Sequence, residues 1–180
     1  MFLETPIVSS RLLLRTLTTE DVGERYLAWL RHPDVSRYLE IRFEPQTKEA
    51  TTAYVQALNQ SPDNLFLGIF LMNDETHIGN IKLGPIDPHH KRGDFGIVIG
   101  AHEHWGKGYA SEAIEALTAF AFGALDLYKV TAGLYASNEG SRRAFLKAGW
   151  FEEGRRSRHW YSDGEWQDDV QLACFREDAR

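Results

Sequence analysis

Residues Val98 to Ala113 read Val-Ile-Gly-Ala-His-Glu-His-Trp-Gly-Lys-Gly-Tyr-Ala-Ser-Glu-Ala, a β-branched run that passes through a Gly-Lys-Gly turn into a helical pattern. Such a junction aims the free N–H groups and the positive end of a helix at one spot, which is how backbones hold a pyrophosphate. Gly106 and Gly108 have no side chain to keep a phosphate away, although a plain strand-to-helix turn needs glycine as well. A Walker A loop places four residues between its glycines and follows the lysine with Ser or Thr. Here five residues separate Gly100 from Gly106, and Lys107 is followed by Gly108. A dinucleotide fingerprint needs a third glycine where this chain has Ser111, and Asp126 precedes a strand instead of ending one.

A second polar group follows the predicted strand Lys129–Ala136: Asn138 and Ser141 open a short helix that ends at Gly149. Short polar side chains there cap the helix or face a ligand. Charge sharpens the contrast. The chain carries a net charge of −6, which argues against general binding to nucleic acid or anionic lipid, yet Ser137–Trp160 holds six Lys/Arg against three Asp/Glu. Arg142, Arg143 or Lys147 in that stretch could meet a phosphate, or could simply be a solvated face. The one cysteine, Cys174, fits a reducing, cytoplasmic compartment, and Val-Gln-Leu-Ala-Cys-Phe around it predicts a buried thiol. The apolar runs stop well short of a membrane span of about 18 residues.

The 180 residues predict a single domain, its core spanning about 8–176, with an α+β (mixed α/β) order of elements. Arg11–Leu17 reads as a strand. Thr18-Thr-Glu-Asp then starts a helix carrying Val22, Tyr26, Leu27 and Leu30, and a short helix follows Pro33. Thr47 caps a further helix whose Ala50, Tyr54, Ala57 and Leu58 share a face. Leu65–Met72, Thr76–Leu83 and Phe95–Ile99 are β-rich, separated by turns at Asn73-Asp74 and Pro85–Pro88. Tyr109–Phe122 is helical, with Ala113, Ile114, Leu117, Phe120 and Ala121 on one side, and a closing hairpin turns at Asp163-Gly164.

Four ordered segments together resemble the GNAT N-acetyltransferases, and within them the ribosomal-protein alanine acetyltransferase (RimJ/RimL) branch. They are Ser10-Arg-Leu-Leu-Leu-Arg15, Phe95-Gly-Ile-Val-Ile-Gly, Trp105-Gly-Lys-Gly-Tyr-Ala-Ser-Glu-Ala, and Asn138-x-x-Ser141-x-x-x-Phe145-x-x-x-Gly149. The resemblance implies a central, mostly antiparallel twisted sheet flanked by helices and splayed at the cofactor strand. It implies acetyl-CoA as cosubstrate: Ile97, Val98 and Ile99 pair with the pantetheine arm, Trp105, Gly106, Lys107, Gly108, Tyr109 and Ala110 hold the pyrophosphate, and Asn138 and Ser141 face the cofactor. Two positions depart from the family pattern. Glu103 stands where Gln or Arg is usual, and Phe145 stands at the usual tyrosine.

An activated thioester needs no enzyme nucleophile, so the expected reaction is direct attack by an amine in a ternary complex. Asp94, at the start of the cofactor strand, is the candidate base. Ser141, as the branch resemblance suggests, or Tyr135 is the candidate acid. Tyr38, Glu40 and Trp160 are candidate walls for the acceptor, a protein N-terminal amine or a small amine such as a polyamine or amino sugar; Tyr161 and Trp166 share the aromatic hairpin. No metal is expected, since His89-His90 and His102-Glu103-His104 lack ligand spacing. The protein is expected as a monomer or homodimer without nucleic-acid or membrane partners. A catalytically silent acyl-CoA sensor is the competing reading.

Overall fold

A computed structural model describes residues 1–178. In chain order its elements are β1 (Ile7–Val8), β2 (Leu12–Thr16), α1 (Glu24–Arg31), α2 (Pro33–Ser36), α3 (Lys48–Gln60), β3 (Leu65–Leu71), β4 (His77–Asp87), β5 (Arg92–Ile99), α4 (Tyr109–Gly123), β6 (Lys129–Tyr135), α5 (Glu139–Lys147), β7 (Phe151–Ser162) and β8 (Glu165–Phe175). Single 3₁₀ turns occupy Thr19–Asp21, Glu40–Phe43 and His102–His104. All the strands join one eight-stranded sheet in the order β1-β2-β3-β4-β5-β6-β8-β7. Among the described residues only the β5–β6 pair is parallel, because α4 carries the chain across between them. The mostly antiparallel mixed fold is thus as expected.

Local chemistry sets the element ends. Asp21 accepts from the Thr18 amide at 2.8 Å and hydroxyl at 3.0 Å and closes a capping box before α1. Thr47 Oγ1 accepts from the Ala50 amide at 3.2 Å to start α3. The hairpin between β7 and β8 turns through Asp163 (φ 55°) and Gly164 (φ 85°), the two left-handed residues a two-residue loop demands. On α4, Ala113, Ile114, Leu117 and Ala121 are fully buried against the sheet, and each buried Leu or Ile contributes about 1.5–3 kcal/mol.

Three sequence expectations change. On α3 the buried residues are Thr51 and Val55, with Tyr54 turned out to 40% exposure and Ala57 exposed, so the helix is rotated from the predicted face. Pro85 to Asp87 extend β4 past a register shift between Leu83 and Ile86, and the turn falls at residues 88–91. The N-terminal β1, too short to announce itself by alternation, pairs Ile7 with Leu14 on β2.

The feature that positions the site lies at the sheet centre. β5 pairs with β4 from Arg92 to Ile99, but with β6 only at Arg92, Gly93 and Asp94. β6 meanwhile stays paired with β8 along all its length, from Lys129 to Tyr135. The sheet therefore splits after Asp94 and Thr131, leaving one edge of Phe95–Ile99 without a strand partner.

Candidate active site

The open edge has a definite polarity. The Gly100 amide donates to Ile78 O at 2.9 Å, continuing the ladder with β4. Since backbone groups alternate sides along a strand, Ile97 and Ile99 turn their N–H and C=O into the split, whereas Val98 turns its own toward β4. The Ile99 carbonyl is engaged by Trp105 Nε1 at 2.6 Å. Trp105, 41% exposed, thus ties the turn to the strand end.

At the foot of the split, Gly106 (φ 72°) and Gly108 (φ 82°) both take the left-handed conformation, and Gly108 is the N-cap of α4. Tyr109 and Ala110 follow as the first helical residues, whose N–H groups lack helical partners. Two cations flank the space above Gly108. Arg11 Nη2 and Lys147 Nζ each lie 3.6 Å from where a Cβ on that glycine would stand. Arg11 is braced there: its Nε meets Glu112 at 2.7 Å, its Nη1 donates to Lys107 O at 3.1 Å, and its guanidinium lies 4.5 Å over the Tyr109 ring. In the sequence Arg11 reads only as part of the opening strand; nothing local signals a contact almost a hundred residues away. Of the other basic candidates, Arg142 pairs with Glu139 and Glu152 and Arg143 with Glu139. Glu103 points to solvent, its side chain 67% exposed.

Asn138 caps α5, its Oδ1 accepting from the Ser141 amide at 3.2 Å. Among the described residues the Ser141 hydroxyl forms no hydrogen bond of its own. Phe145 is 1% exposed and packs at 4.8 Å on Trp150, deep in the core. The position where the family pattern has tyrosine is here a packing position.

Asp94 sits at the point of divergence and accepts from Thr131 Oγ1 at 2.9 Å. Its outer surface is open, yet protein around the carboxyl displaces water and raises its pKa, against the lowering effects of the Thr131 hydrogen bond and of Lys82. Tyr135 is placed differently from a free acid. Its hydroxyl donates to Glu40 Oε1 at 2.8 Å and accepts from Arg42 Nη2 at 3.2 Å, and burial followed by the Glu40 contact pushes its pKa up to about 12. Trp160 stacks on Tyr135 at 5.0 Å, and the Tyr38 hydroxyl donates to Ser137 O at 3.0 Å. Tyr38, Glu40, Tyr135 and Trp160 are thus one connected wall. Tyr161 and Trp166, on the opposite strand parity, point outward at 60% and 62% exposure and leave this wall.

A cavity of about 180 Å³ opens between this face of β4–β5 and the α1, α3 and Glu40–Phe43 segments, reached by Glu40, Asn80, Lys82, Gly96 and Val98. The thiol of Cys174 is elsewhere, 1% exposed, and burial pushes it up to about 11, so it holds little thiolate at neutral pH. His89-His90 and His102–His104 lie at opposite ends of β5. Among the described residues no group of three or more His, Cys, Asp or Glu gathers to hold a metal, and no helix is long and apolar enough to cross a membrane.

A family model for the acetyltransferase (GNAT) domain matches residues 11–150. The uncharacterized N-acetyltransferase YoaA of Bacillus subtilis (strain 168) is 31% identical over 163 residues, covering 88% of this chain and 90% of that protein. The crystal structure of an acetyltransferase (GNAT family) from Bacillus anthracis matches with a TM-score of 0.82 at 26% identity, over 96% of this chain and 99% of the other. The fold is also that of the Vibrio cholerae spermidine N-acetyltransferase solved with CoA and spermine, with a TM-score of 0.83 at 21% identity over 95% and 99% of the two chains.

Proposed function

The chain belongs to the GNAT acetyltransferase family, and on that premise we propose that it transfers the acetyl group of acetyl-CoA to a primary amine by direct attack in a ternary complex. The observation that carries this is the split of β5 from β6 after Asp94, ending at a turn where Gly106 and Gly108 leave room for phosphate. Backbone groups of Ile97 and Ile99 fit an amide-bearing pantetheine arm as a strand would. The amides of the Trp105–Ala110 stretch, with Lys107, Arg11 and Lys147 around them, fit a pyrophosphate. Bound acetyl-CoA supplies an acyl group already activated as a thioester.

The protein's own work is then positioning and proton traffic. Asp94 takes the proton that the attacking ammonium must lose, directly or through water, and its raised pKa brings it closer to that task than an ordinary aspartate. Ser141 Oγ, unengaged at the start of α5, holds the proton returned to the leaving sulfur. Tyr135, its hydroxyl hydrogen given to Glu40, braces that carboxylate, and the acid's part falls to Ser141. Tyr38, Glu40 and Trp160 form the acceptor side. The acceptor amine is that of a protein N-terminus, as the RimJ/RimL resemblance suggests, or of a small molecule, as the spermidine enzyme's fold suggests.

The test is thiol release from acetyl-CoA with N-terminal peptides, polyamines and amino sugars offered in turn. Release that requires an amine and yields the N-acetyl product is the expected result. Tight acetyl-CoA binding with no acceptor-dependent release would leave a silent cofactor sensor in its place.

A further inference from the structure

Two hydrogen-bond donors stand without acceptors on one wall of the cavity. Asn80 and Lys82 are two residues apart on β4, so their side chains share a face, and both line the cavity beside Gly96 and Val98 of β5. Asn80 is 2% exposed. Its amide orientation follows from His77, whose Nε2 lies 3.0 Å from Gly79 O and 2.9 Å from Asn80 Oδ1. The Gly79 carbonyl can only accept, so that nitrogen carries the hydrogen and the Asn80 atom facing it must accept as well. Asn80 therefore shows Oδ1 to His77 and keeps Nδ2 free; Nδ2 is buried and has no hydrogen-bond partner. The Tyr26 hydroxyl is the polar neighbour on that side, close enough for Asn80 to act on it, but among the described residues Nδ2 meets no acceptor in hydrogen-bonding geometry. Lys82 is half-buried, and among the described residues no carboxylate lies within 4.0 Å of its ammonium.

Buried donors are almost always satisfied, and an unpaired cation beside one calls for an anionic oxygen. Across the same face the charge reverses. Asp94, which feels the Lys82 charge, stands two residues before Gly96, the register partner of Lys82, and Glu40 also lines the cavity, its Oε1 engaged by the Tyr135 hydroxyl. The far end of the cavity is apolar, formed by Leu30, Phe66 and the Tyr26 ring. A ligand that matches all three regions carries an amine, a carboxylate next to it and a compact apolar group.

We infer that the acceptor is a small amino-acid-like zwitterion whose carboxylate is held by Asn80 Nδ2 and Lys82 Nζ while its amino group is presented toward Asp94. This rests on the acetyl-transfer reading above. It places Asn80 and Lys82 as specificity-determining residues, and it sets a second ammonium group, as in a polyamine, against the Lys82 charge. His77 is a positioning residue, acting through the Asn80 amide.

The experiment compares kcat/KM for matched acceptors: leucine against 3-methylbutylamine, phenylalanine against 2-phenylethylamine, with leucinamide and spermidine alongside. Each amino acid is expected to exceed its decarboxylated partner by about 10- to 100-fold, the scale of a charge-assisted hydrogen bond. Leucine is expected to exceed leucinamide, which keeps the carbonyl but not the charge. Lys82→Met, checked for an unchanged melting transition, should bring leucine down to the level of 3-methylbutylamine, mainly through KM. Asn80→Asp, which puts an acceptor where the donor was, should do the same. Spermidine or the decarboxylated amines serving as well as the amino acids would overturn the inference while leaving acetyl transfer intact. So would an amino-acid preference that survives Lys82→Met. Failure of every acceptor, in a protein that also fails to bind acetyl-CoA, would overturn the acetyl-transfer reading with it.

Discussion

At Gly108 the backbone φ of 82° lies where an L side chain is strained by about 1–2 kcal/mol, and a side chain there would project between Arg11 and Lys147. Gly108→Val is therefore expected to weaken acetyl-CoA binding by tenfold or more, read by calorimetric titration, with the circular dichroism spectrum unchanged. Equal affinity in a folded variant would remove this turn from the cofactor site. Asp94 makes a different prediction. Because its folded pKa is raised, the folded state holds the proton more tightly than the unfolded chain, so its contribution to stability falls as pH rises through the window above its ordinary value near 3.9. Asp94→Asn should consequently raise the melting temperature at pH 7 and lower kcat, and the acid limb of the kcat/KM profile should flatten. A lower melting temperature would contradict the first of these roles, and an unaltered pH profile the second. Residues such as Gly108 and Asn138 were legible in the sequence because their chemistry is local, a left-handed φ and a helix cap. The brace on Tyr135 was not, since Glu40 meets it only when the turn at Glu40–Phe43 folds over the end of β6.

Between elements, Trp29 of α1 packs against Gly100, just past the end of β5. A Cβ on Gly100 would sit inside the Trp29 indole, and Trp29 is only 8% exposed. Gly100→Ala should cost about 1–3 kcal/mol by overpacking, seen as a lower midpoint in urea. The capping box before α1 is a second handle. Burial pushes the Asp21 carboxyl up, but the Arg15 guanidinium at 2.7 Å and the Thr18 donors outweigh it and hold the pKa below its usual value. That stability is present above the unfolded value and is lost as pH falls through the lowered folded one. Asp21→Ala should remove roughly 1–3 kcal/mol at pH 7 and much less once the pH is below both values. Element identities were readable from periodicity and capping residues, but faces were less so. Tyr54 counted as apolar in the pattern of α3, yet its ring suits a half-exposed site, so the buried line shifted to Thr51 and Val55. Parity settled the hairpin aromatics in the same way, Trp160 inward and its neighbours outward.

Over the whole molecule, the order of the strands explains how a chain with a net charge of −6 gathers positive groups at one place. The parallel β5–β6 pair sets the N-terminus of α4 and the start of α5 at one end of the split, and Arg11, just before β2, joins Lys147 of α5 there. The ordered motifs made that arrangement readable at the level of fold. Of its cations, Lys147 was among the basic candidates the sequence offers, but Arg11 was not readable, because it comes from the segment just before β2, and no spacing in the chain encodes that approach. Whether this split and turn form an acetyl-CoA site is decided by separate calorimetric titrations of acetyl-CoA, ATP and NAD. One-to-one binding of acetyl-CoA that weakens in Gly108→Val is expected, with neither nucleotide competing at equal concentration. Binding of ATP or NAD without binding of acetyl-CoA would contradict it.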